Sequence, residues 1–392
     1  MYALLFADAG LSVGQISSLF AIWSLTGVVA EAPSGALADR YSRRSALRAG
    51  PLLSAAGFAL WVWAPSYWSF AAGFVLWGVG GSLASGALEA LVHDELERAG
   101  AVARYSAVMG RARTAETLGV VASMAVAGPL LEAGGQTLIG VASVAACLLA
   151  AGAAHAMPER RDGAVPGGSG EPAETDEPGV LGEDPDGAGV SGEDRATRVR
   201  PVRWPVGAML LVAAVSGVWG ALDEYTPLLV RETGAADGEV SWYLLAIWAG
   251  AAVGGLPAGP AERWFAGRRL GPLLAGSAAM LGWGALWGTP AGTAVLAGLA
   301  FAGFQLATVL ADARLQHAIR GPGRATVTSV AGMATDLTVI ATYTAYGALG
   351  EPHGVTFAVL ACAYAVPAAV LLRRGGGRRG RPGRRGRRGS RV

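Results

Sequence analysis

Acidic side chains lie inside several long apolar runs of this 392-residue chain. A charged carboxylate in an apolar surrounding is costly, so it faces a polar cavity or a partner, and proton binding relieves the cost. Asp223 and Glu224 are adjacent, about 100° apart on a helix, so one can face a cavity while the other faces a neighbouring helix. Glu116 follows Arg113 by three residues, which allows the two charges to pair on one helix face. The three acids are therefore candidates for reversible proton binding, with Arg113 as the partner of Glu116. The alternative is that the helix ends near Pro227 and that water hydrates both Asp223 and Glu224.

Polar residues recur at helical spacing in two further apolar runs. One run carries Ser82, Ser85, Gly86, Glu89 and His93, and the other carries Gln305, Thr308, Asp312 and Gln316. Steps of three and four place each set on one helix face, which predicts two cavity-lining faces. Polar faces of this kind also occur as packing contacts between helices. Glu31 and Asp336 are further acidic residues inside apolar runs, and we add both to the cavity candidates.

Four tryptophans lie deep inside apolar runs, whereas most of the 12 Trp lie near the ends of the runs. Tryptophans near the ends are typical of anchors at a membrane surface. The deep ones are Trp23, Trp77, Trp219 and Trp248. They fit either contact with a bound solute or packing between helices.

The elements that would hold these residues are membrane-spanning helices. The hydrophobic fraction is 52%, the charged fraction is 15%, and the mean hydropathy is +0.41. A span needs about 20 mostly apolar residues. The apolar runs predict helices near 14–36, 45–64, 69–92, 107–131, 137–156, 205–230, 240–259, 270–288, 291–313, 325–348 and 355–372. Residues 1–9 have the composition of the last turns of a further helix, so we expect twelve spans with a truncated first helix and Met1 as an internal start.

A change of composition divides the chain into two halves. Residues 157–203 are rich in Gly and Pro and hold 11 acidic and 6 Arg residues, which is typical of a disordered linker. We therefore predict an N-terminal half over 1–156 and a C-terminal half over 204–372. The tail over 373–392 holds ten Arg among glycines, which favours contact with anionic lipid headgroups rather than with nucleic acid.

The arginines predict how the chain is oriented in the membrane. All 31 basic residues are Arg, and with the linker placed inside only Arg231 falls outside. Basic loops are retained in the cytoplasm. Both termini are therefore predicted to be cytoplasmic. The absence of Lys, with 59 Gly, is typical of a GC-rich bacterial genome.

The two halves share short patterns in the same order. The segment Pro33–Arg40 has a shorter echo in Pro257–Arg263, Asp94 is matched by Asp312, and Gly110-Arg-Ala is matched by Gly323-Arg-Ala. Three matches at nearly one offset favour a parallel duplication.

The first of these patterns carries a family resemblance. The stretch Gly35-Ala-Leu37-Ala-Asp39-Arg40-Tyr-Ser-Arg43-Arg44 resembles the loop between the second and third helices of the major facilitator superfamily. Ser42 stands where that family has Gly. The resemblance implies an all-α membrane fold of two six-helix bundles related by a pseudo-two-fold axis.

The resemblance also implies a conformational latch. In that family Asp39 would face the cytoplasmic start of helix 11, and Arg40, Arg43 and Arg44 would pair with acids on neighbouring helices. A carboxylate near a helix N-terminus is favoured by about 0.3 to 1 kcal/mol. The alternative is that the arginines only set the topology. Gly128-Pro129 matches the core of a helix 5 motif of proton-driven exporters, whereas Phe74 replaces a buried Arg of many drug exporters.

Several function classes are excluded by residue content. Without Lys there is no phosphate-loop ATPase signature and no Schiff-base chemistry. Cys147 and Cys362 lie alone in apolar runs, and the four His are far apart, so no metal site, cofactor or enzyme is predicted.

The sequence thus predicts a transporter in the bacterial cytoplasmic membrane. We expect a functional monomer that exports a small drug-like or metabolite solute by alternating access, driven by the proton gradient. The alternatives are an importer of a nutrient such as a sugar or an organic acid, a polytopic membrane enzyme, and a scaffold that does not transport.

Overall fold

A computed structural model describes residues 2–41, 43–101, 104–157, 204–257, 270–319 and 324–376, and regular structure in these ranges is entirely helical. The helices of the N-terminal half are α1 (Tyr2–Asp8), α2 (Val13–Tyr41), α3 (Arg43–Trp63), α4 (Tyr67–Arg98) and α5 (Tyr105–Ala156). Those of the C-terminal half are α6 (Val206–Asp223), α7 (Thr226–Glu232), α8 (Asp237–Gly255), α9 (Leu270–Ala285), α10 (Pro290–Ala318), α11 (Arg324–Leu349), α12 (His353–Ala361) and α13 (Ala365–Gly376). A short 3₁₀ turn joins the last two helices. The linker, the basic tail and Met1 lie outside the described residues.

Six helical segments of the described residues are long and apolar enough to cross a membrane, and the last of them spans α12, the 3₁₀ turn and α13. They are found in Val13–Ala30, Arg44–Trp63, Ala107–Ala156, Val206–Asp223, Pro290–Ala318 and His353–Leu372. The prediction of an all-α membrane protein is therefore confirmed.

Helix α5 contains the two helices predicted over 107–131 and 137–156. Its backbone leaves helical geometry at Gly134 and Gly135, where Gly135 has φ 64° and ψ −163°. A side chain disfavours positive φ, so glycine permits the chain to reverse here. The two arms of α5 correspond to the fifth and sixth predicted spans.

The prediction of a single helix over 205–230 is wrong, because the helical backbone is interrupted between α6 and α7. Pro227 lies in the first turn of α7 and has no backbone N–H. In a continuous helix that N–H would bond to the carbonyl of Asp223, four residues earlier, and the proline ring would clash there. The break therefore falls at Glu224 and Tyr225.

The predicted loop after the second helix is also corrected. Helix α2 continues to Tyr41 and α3 begins at Arg43, so the motif lies in the last turns of one helix and the first turn of the next. Leu37 and Ala38 are strong helix formers, and propensity alone favours continuation there. Only Ser42 separates the two helices.

Equivalent helices pack in the same way in the two halves. Helix α4 packs against α2 and α3, and α10 packs against α8 and α9. Helices α8, α9 and α10 of the second half therefore correspond to α2, α3 and α4 of the first half. This repetition supports the parallel duplication that the short sequence matches indicated.

The two halves meet mainly through two helix pairs, α2 with α11 and α5 with α8. A Cβ at Gly347 would lie 2.8 Å from the Cβ of Ser17, and a Cβ at Gly128 would lie 2.6 Å from the carbonyl oxygen of Gly238. Glycine is needed at both contacts because the helices approach so closely. The contacts lie near the start of α2 and α8 and near the end of α11, which places them at one end of the bundle.

Candidate functional site

The helical bundle has two chemically different ends. The first, which we call the basic end, carries Arg44, Arg48, Arg98, Arg104, Arg111 and Arg314. The opposite end, the distal end, holds the α1–α2, α3–α4 and α7–α8 connections. The packing contacts between the halves described above lie at this distal end.

An ion-pair cluster joins the two halves at the distal end. Arg231 at the end of α7 places Nη1 2.5 Å from Oδ1 of Asp8, at the end of α1. Its Nε lies 3.1 Å from Oδ1 of Asp237, at the start of α8. Gln136 also donates to Asp8, at 3.5 Å. We call Asp8, Arg231 and Asp237 the distal clasp.

Two hydrogen bonds join the halves further inside. The Tyr225 hydroxyl donates to Oγ of Ser17 at 2.7 Å, and both side chains are buried. The Tyr2 hydroxyl donates to Oε2 of Glu224. The short stretch 224–231 therefore bonds to the N-terminal half at three positions. We call these two bonds together with the distal clasp the distal seal.

Glu232 fixes α7 against the start of α12. Its Oε1 accepts from the backbone N–H of His353 at 2.9 Å, and its Oε2 accepts from that of Gly354 at 2.7 Å. Unpaired N–H groups and the helix dipole make a helix start favourable for a carboxylate. The stretch that forms the distal seal is thus anchored within its own half.

Asp223 and Glu224 lie at the break between α6 and α7, on the inner side of the distal seal. Glu224 accepts a hydrogen bond from Tyr2, whereas the carboxylate of Asp223 lies near the Trp248 indole of α8. Oδ1 of Asp223 is buried and has no hydrogen-bond partner within the described ranges. The expectation that one acid faces a cavity and the other a neighbouring helix stays a prediction.

A cavity of about 410 Å³ opens between α2, α4 and α11. Its lining residues are Trp23, Ser24, Gly27, Val28, Trp77, Gly78, Gly81, Ser82 and Asp336. The helical rise places Ser24 about 10 Å from Ser17, and Asp336 about 16 Å from Gly347, along their helices. The cavity therefore lies on the basic side of the distal seal, and residues of both halves line it.

The predicted site residues are only partly brought together. Asp223 and Glu224 adjoin each other behind the distal seal, and Asp336 lines the cavity with Ser82. Gln305 is half-buried on α10, whereas Glu116 and Asp312 are exposed. The side chains of Glu31, Ser85, Glu89 and Arg113 lie outside the described residues.

For the predicted latch, the structure describes one side chain. Arg44 donates to the backbone carbonyl of His155 near the end of α5, and both residues belong to the N-terminal half. This partner is a carbonyl oxygen at a helix C-terminus, which favours a cation. The latch stays a prediction, because the structure does not describe the side-chain positions of its other members, which are Gly35, Leu37, Asp39, Arg40 and Arg43.

One group of possible metal ligands occurs in the described part of the chain. His93, Asp94 and Glu97, in the last turns of α4, have ligand atoms within 4.8 Å of one another. His93 and Glu97 are exposed, and His93 packs its ring against Tyr105. Nothing further at this surface points to a bound ion, and we assign no metal there. The absence of a cofactor stays a prediction.

Two similar helical halves that share a cavity and close at one end are the arrangement of a membrane transporter. The sequence model of the Major Facilitator Superfamily matches residues 1–381. The chain belongs to the major facilitator superfamily. It is accordingly a secondary transporter of small solutes and not an enzyme, as the sequence predicted.

Solved structures show the same fold. The crystal structure of nucleoside transporter NupG matches with a TM-score of 0.65 at 12% identity, covering 94% of this chain and 91% of that chain. A point mutant of NupG matches with a TM-score of 0.65 at 13% identity, covering 94% and 92%. At such identities the likeness concerns the fold alone. No curated protein matches the sequence.

The distal seal is the main feature that sequence reasoning missed. Tyr2 and Glu224 are 222 residues apart, and Ser17 and Tyr225 are 208 apart. No local pattern connects residues so distant. One signal was present, because Arg231 was the single arginine that the topology placed outside, and an isolated charge there indicates a specific partner.

Proposed function

We propose that this chain exports a small organic solute by alternating access across the bacterial cytoplasmic membrane, driven by the proton gradient. The basic end faces the cytoplasm and the distal end faces outside. The transporter works as a monomer, because both halves that form the cavity belong to one chain.

One observation carries this proposal. The two halves bond to each other at the distal end, while the cavity that they share lies on the basic side of those bonds. A carrier needs a state in which the cavity is closed toward one side only, and the distal seal supplies such a closure. Release of the seal would allow the halves to rock and open the cavity to the other side.

The orientation rests on the arginines. The described arginines at the basic end lie near helix ends. At the distal end, Arg231 forms ion pairs with two carboxylates. Basic residues close to the ends of membrane helices stay on the cytoplasmic side. The cavity would then face the cytoplasm, which makes this state ready to accept a solute from inside the cell.

Proton coupling rests on the acids behind the distal seal. Asp223 and Glu224 adjoin the bonds that close the distal end, and Oδ1 of Asp223 is a buried carboxylate oxygen without a hydrogen-bond partner among the described residues. A proton at this position changes the charge next to the Tyr2 contact. The direction of export is favoured by Gly128-Pro129, since Gly128 lies in the α5–α8 contact between the halves.

Exchange in proteoliposomes tests the proposal. Vesicles with the purified chain would be loaded with an unlabelled panel of amines, sugars, nucleosides and organic acids, and uptake of each labelled counterpart would be measured without any gradient. We expect one class to exchange faster than in protein-free vesicles. An imposed pH gradient should drive that class toward the more acidic compartment if protons are exchanged for solute. Movement in the same direction as protons would indicate import, and no exchange of any class would contradict a carrier.

A further inference from the structure

The cavity between α2, α4 and α11 combines an aromatic surface with an acidic one. The indoles of Trp23 and Trp77 stack with ring centroids 4.8 Å apart and an interplanar angle of 15°. Both tryptophans are half-buried, so part of each ring faces the cavity. Among the lining residues that the structure describes, Asp336 of α11 is the ionisable one.

Two more acids lie behind the cavity wall. Trp77 contacts the ring of Tyr2 at a centroid distance of 5.8 Å, and Tyr2 donates to Glu224. Tyr343 also packs near these groups, since its ring lies 6.0 Å from that of Tyr225. Thus tyrosine side chains lie between the cavity and Glu224, and each of these acids adds negative charge near the cavity when it is ionised.

The cavity also has room that glycines leave open. A Cβ at Gly27 or Gly81 would meet no atom within 4 Å, so both positions face open space. Gly78 differs, since a Cβ there would lie 2.9 Å from Cγ2 of Thr26. The volume of about 410 Å³ falls in the range of about 300–1,000 Å³ that is typical of small-molecule sites.

We infer that the transported solute is an organic cation with an aromatic or apolar body, which rests on Trp23 and Trp77 and places its charge near Asp336. An aromatic face attracts a cation, and a carboxylate in a medium of low dielectric attracts it further. An anion of the same shape would meet the same apolar surface but would be repelled by the acids. This inference rests on the proposed transport function and names its substrate class.

Tetraphenylphosphonium and tetraphenylborate form a matched pair of probes, because they share a shape and have opposite charges. Binding of each to the purified full-length chain would be measured by titration calorimetry, with tryptophan fluorescence as a second readout. We expect the cation to bind and Asp336→Asn to weaken it at least tenfold, while Asp336→Glu restores most of the affinity. Equal binding of the anion, or unchanged cation affinity in Asp336→Asn, would overturn the inference about charge.

Filling the cavity tests its location. Gly81→Leu places a side chain in open space, and we expect it to abolish cation binding without loss of folded protein. Gly276→Leu is the matched control, because Gly276 on α9 also faces open space and lies away from the cavity lining. Cation binding that survives Gly81→Leu unchanged would exclude this cavity.

The panel exchange separates this inference from the proposed function. Exchange of a neutral or anionic solute, with no exchange of cations, would support the proposed carrier function and contradict the inference of a cationic substrate. A lack of exchange for every class of solute in the panel would instead contradict the proposed carrier function itself.

Discussion

Asp8 and Arg231 form an ion pair that joins the two halves, with 2.5 Å between Oδ1 and Nη1. The two side chains are 37% and 34% exposed, so the pair is neither buried nor free in water. Pairs at this exposure contribute little to stability. A small energy is suited to a contact that must break and form again in every transport cycle.

Removal of this pair should shift the carrier toward a distally open state. For Arg231→Gln we expect the equilibrium to move roughly 1.4- to 5-fold, since an exposed pair is worth about 0.2 to 1 kcal/mol. Spin labels would be placed on the two halves at the distal end. Distances measured between them by pulsed electron paramagnetic resonance would report the populations of the distally closed and distally open states. Arg98→Gln is the control, because Arg98 pairs with Glu95 on the same helix. An unchanged distance distribution in Arg231→Gln would show that the clasp does not hold the closed state.

Asp39→Asn should reduce transport strongly while the amount of folded protein in the membrane stays the same. The substitution removes a charge from the predicted latch at the basic end and keeps the size of the side chain. The measurement is exchange of the solute identified by the panel, normalised to membrane protein. Solute flux equal to that of the parent would contradict the latch and indicate that the motif only sets the orientation of the chain in the membrane.

Proton coupling should be lost in a variant that removes the titrating acid. The variants are Glu116→Gln, Asp223→Asn and Glu224→Gln. A coupling residue is expected to lose accumulation driven by a pH gradient but to keep exchange without a gradient, because its substitution fixes one charge state and leaves the cavity intact. Asp223 and Glu224 have the closer relation to the distal seal, whereas Glu116 is exposed on α5.

Glu95→Gln serves as the control for this series, since Glu95 lies near the basic end of α4. The proposal that these acids couple transport to protons fails if all three variants accumulate solute as the parent does.

The orientation can be tested with single cysteines in a chain whose Cys147 and Cys362 are replaced by serine. Ser66→Cys at the distal end and Arg48→Cys at the basic end are both exposed positions. An impermeant maleimide should label Ser66→Cys in intact cells, and it should label Arg48→Cys only after the cells are permeabilised. The reverse pattern would invert the proposed topology.

Much of the fold was predictable because membrane helices have a strong local signal. The apolar runs located the helices, and the break between the runs over 107–131 and 137–156 predicted the two spans that α5 joins at Gly134 and Gly135. The ends of helices were less well predicted. Helix α2 continues through the polar residues at 39 and 40, because a helix that emerges from the membrane no longer needs apolar side chains.

The candidate site was less predictable because its contacts join distant parts of the chain. The sequence located Asp223 and Glu224 but not their partners Trp248 and Tyr2, which depend on how α8 and α1 pack. Trp23 and Trp77 were proposed either to contact a solute or to pack, and their mutual stacking beside the cavity shows that they do the second while leaving room for the first.

The central claim is that the distal seal must open in each transport cycle, and a reversible cross-link across it tests this claim most directly. Asp8→Cys and Arg231→Cys would be combined in the chain without native cysteines and joined by a short bifunctional thiol reagent with a reducible bond. Exchange in proteoliposomes should stop when the link is formed and return when it is reduced, while single-cysteine controls are unaffected. Exchange that continues at the parent rate in the linked protein would contradict alternating access through this seal.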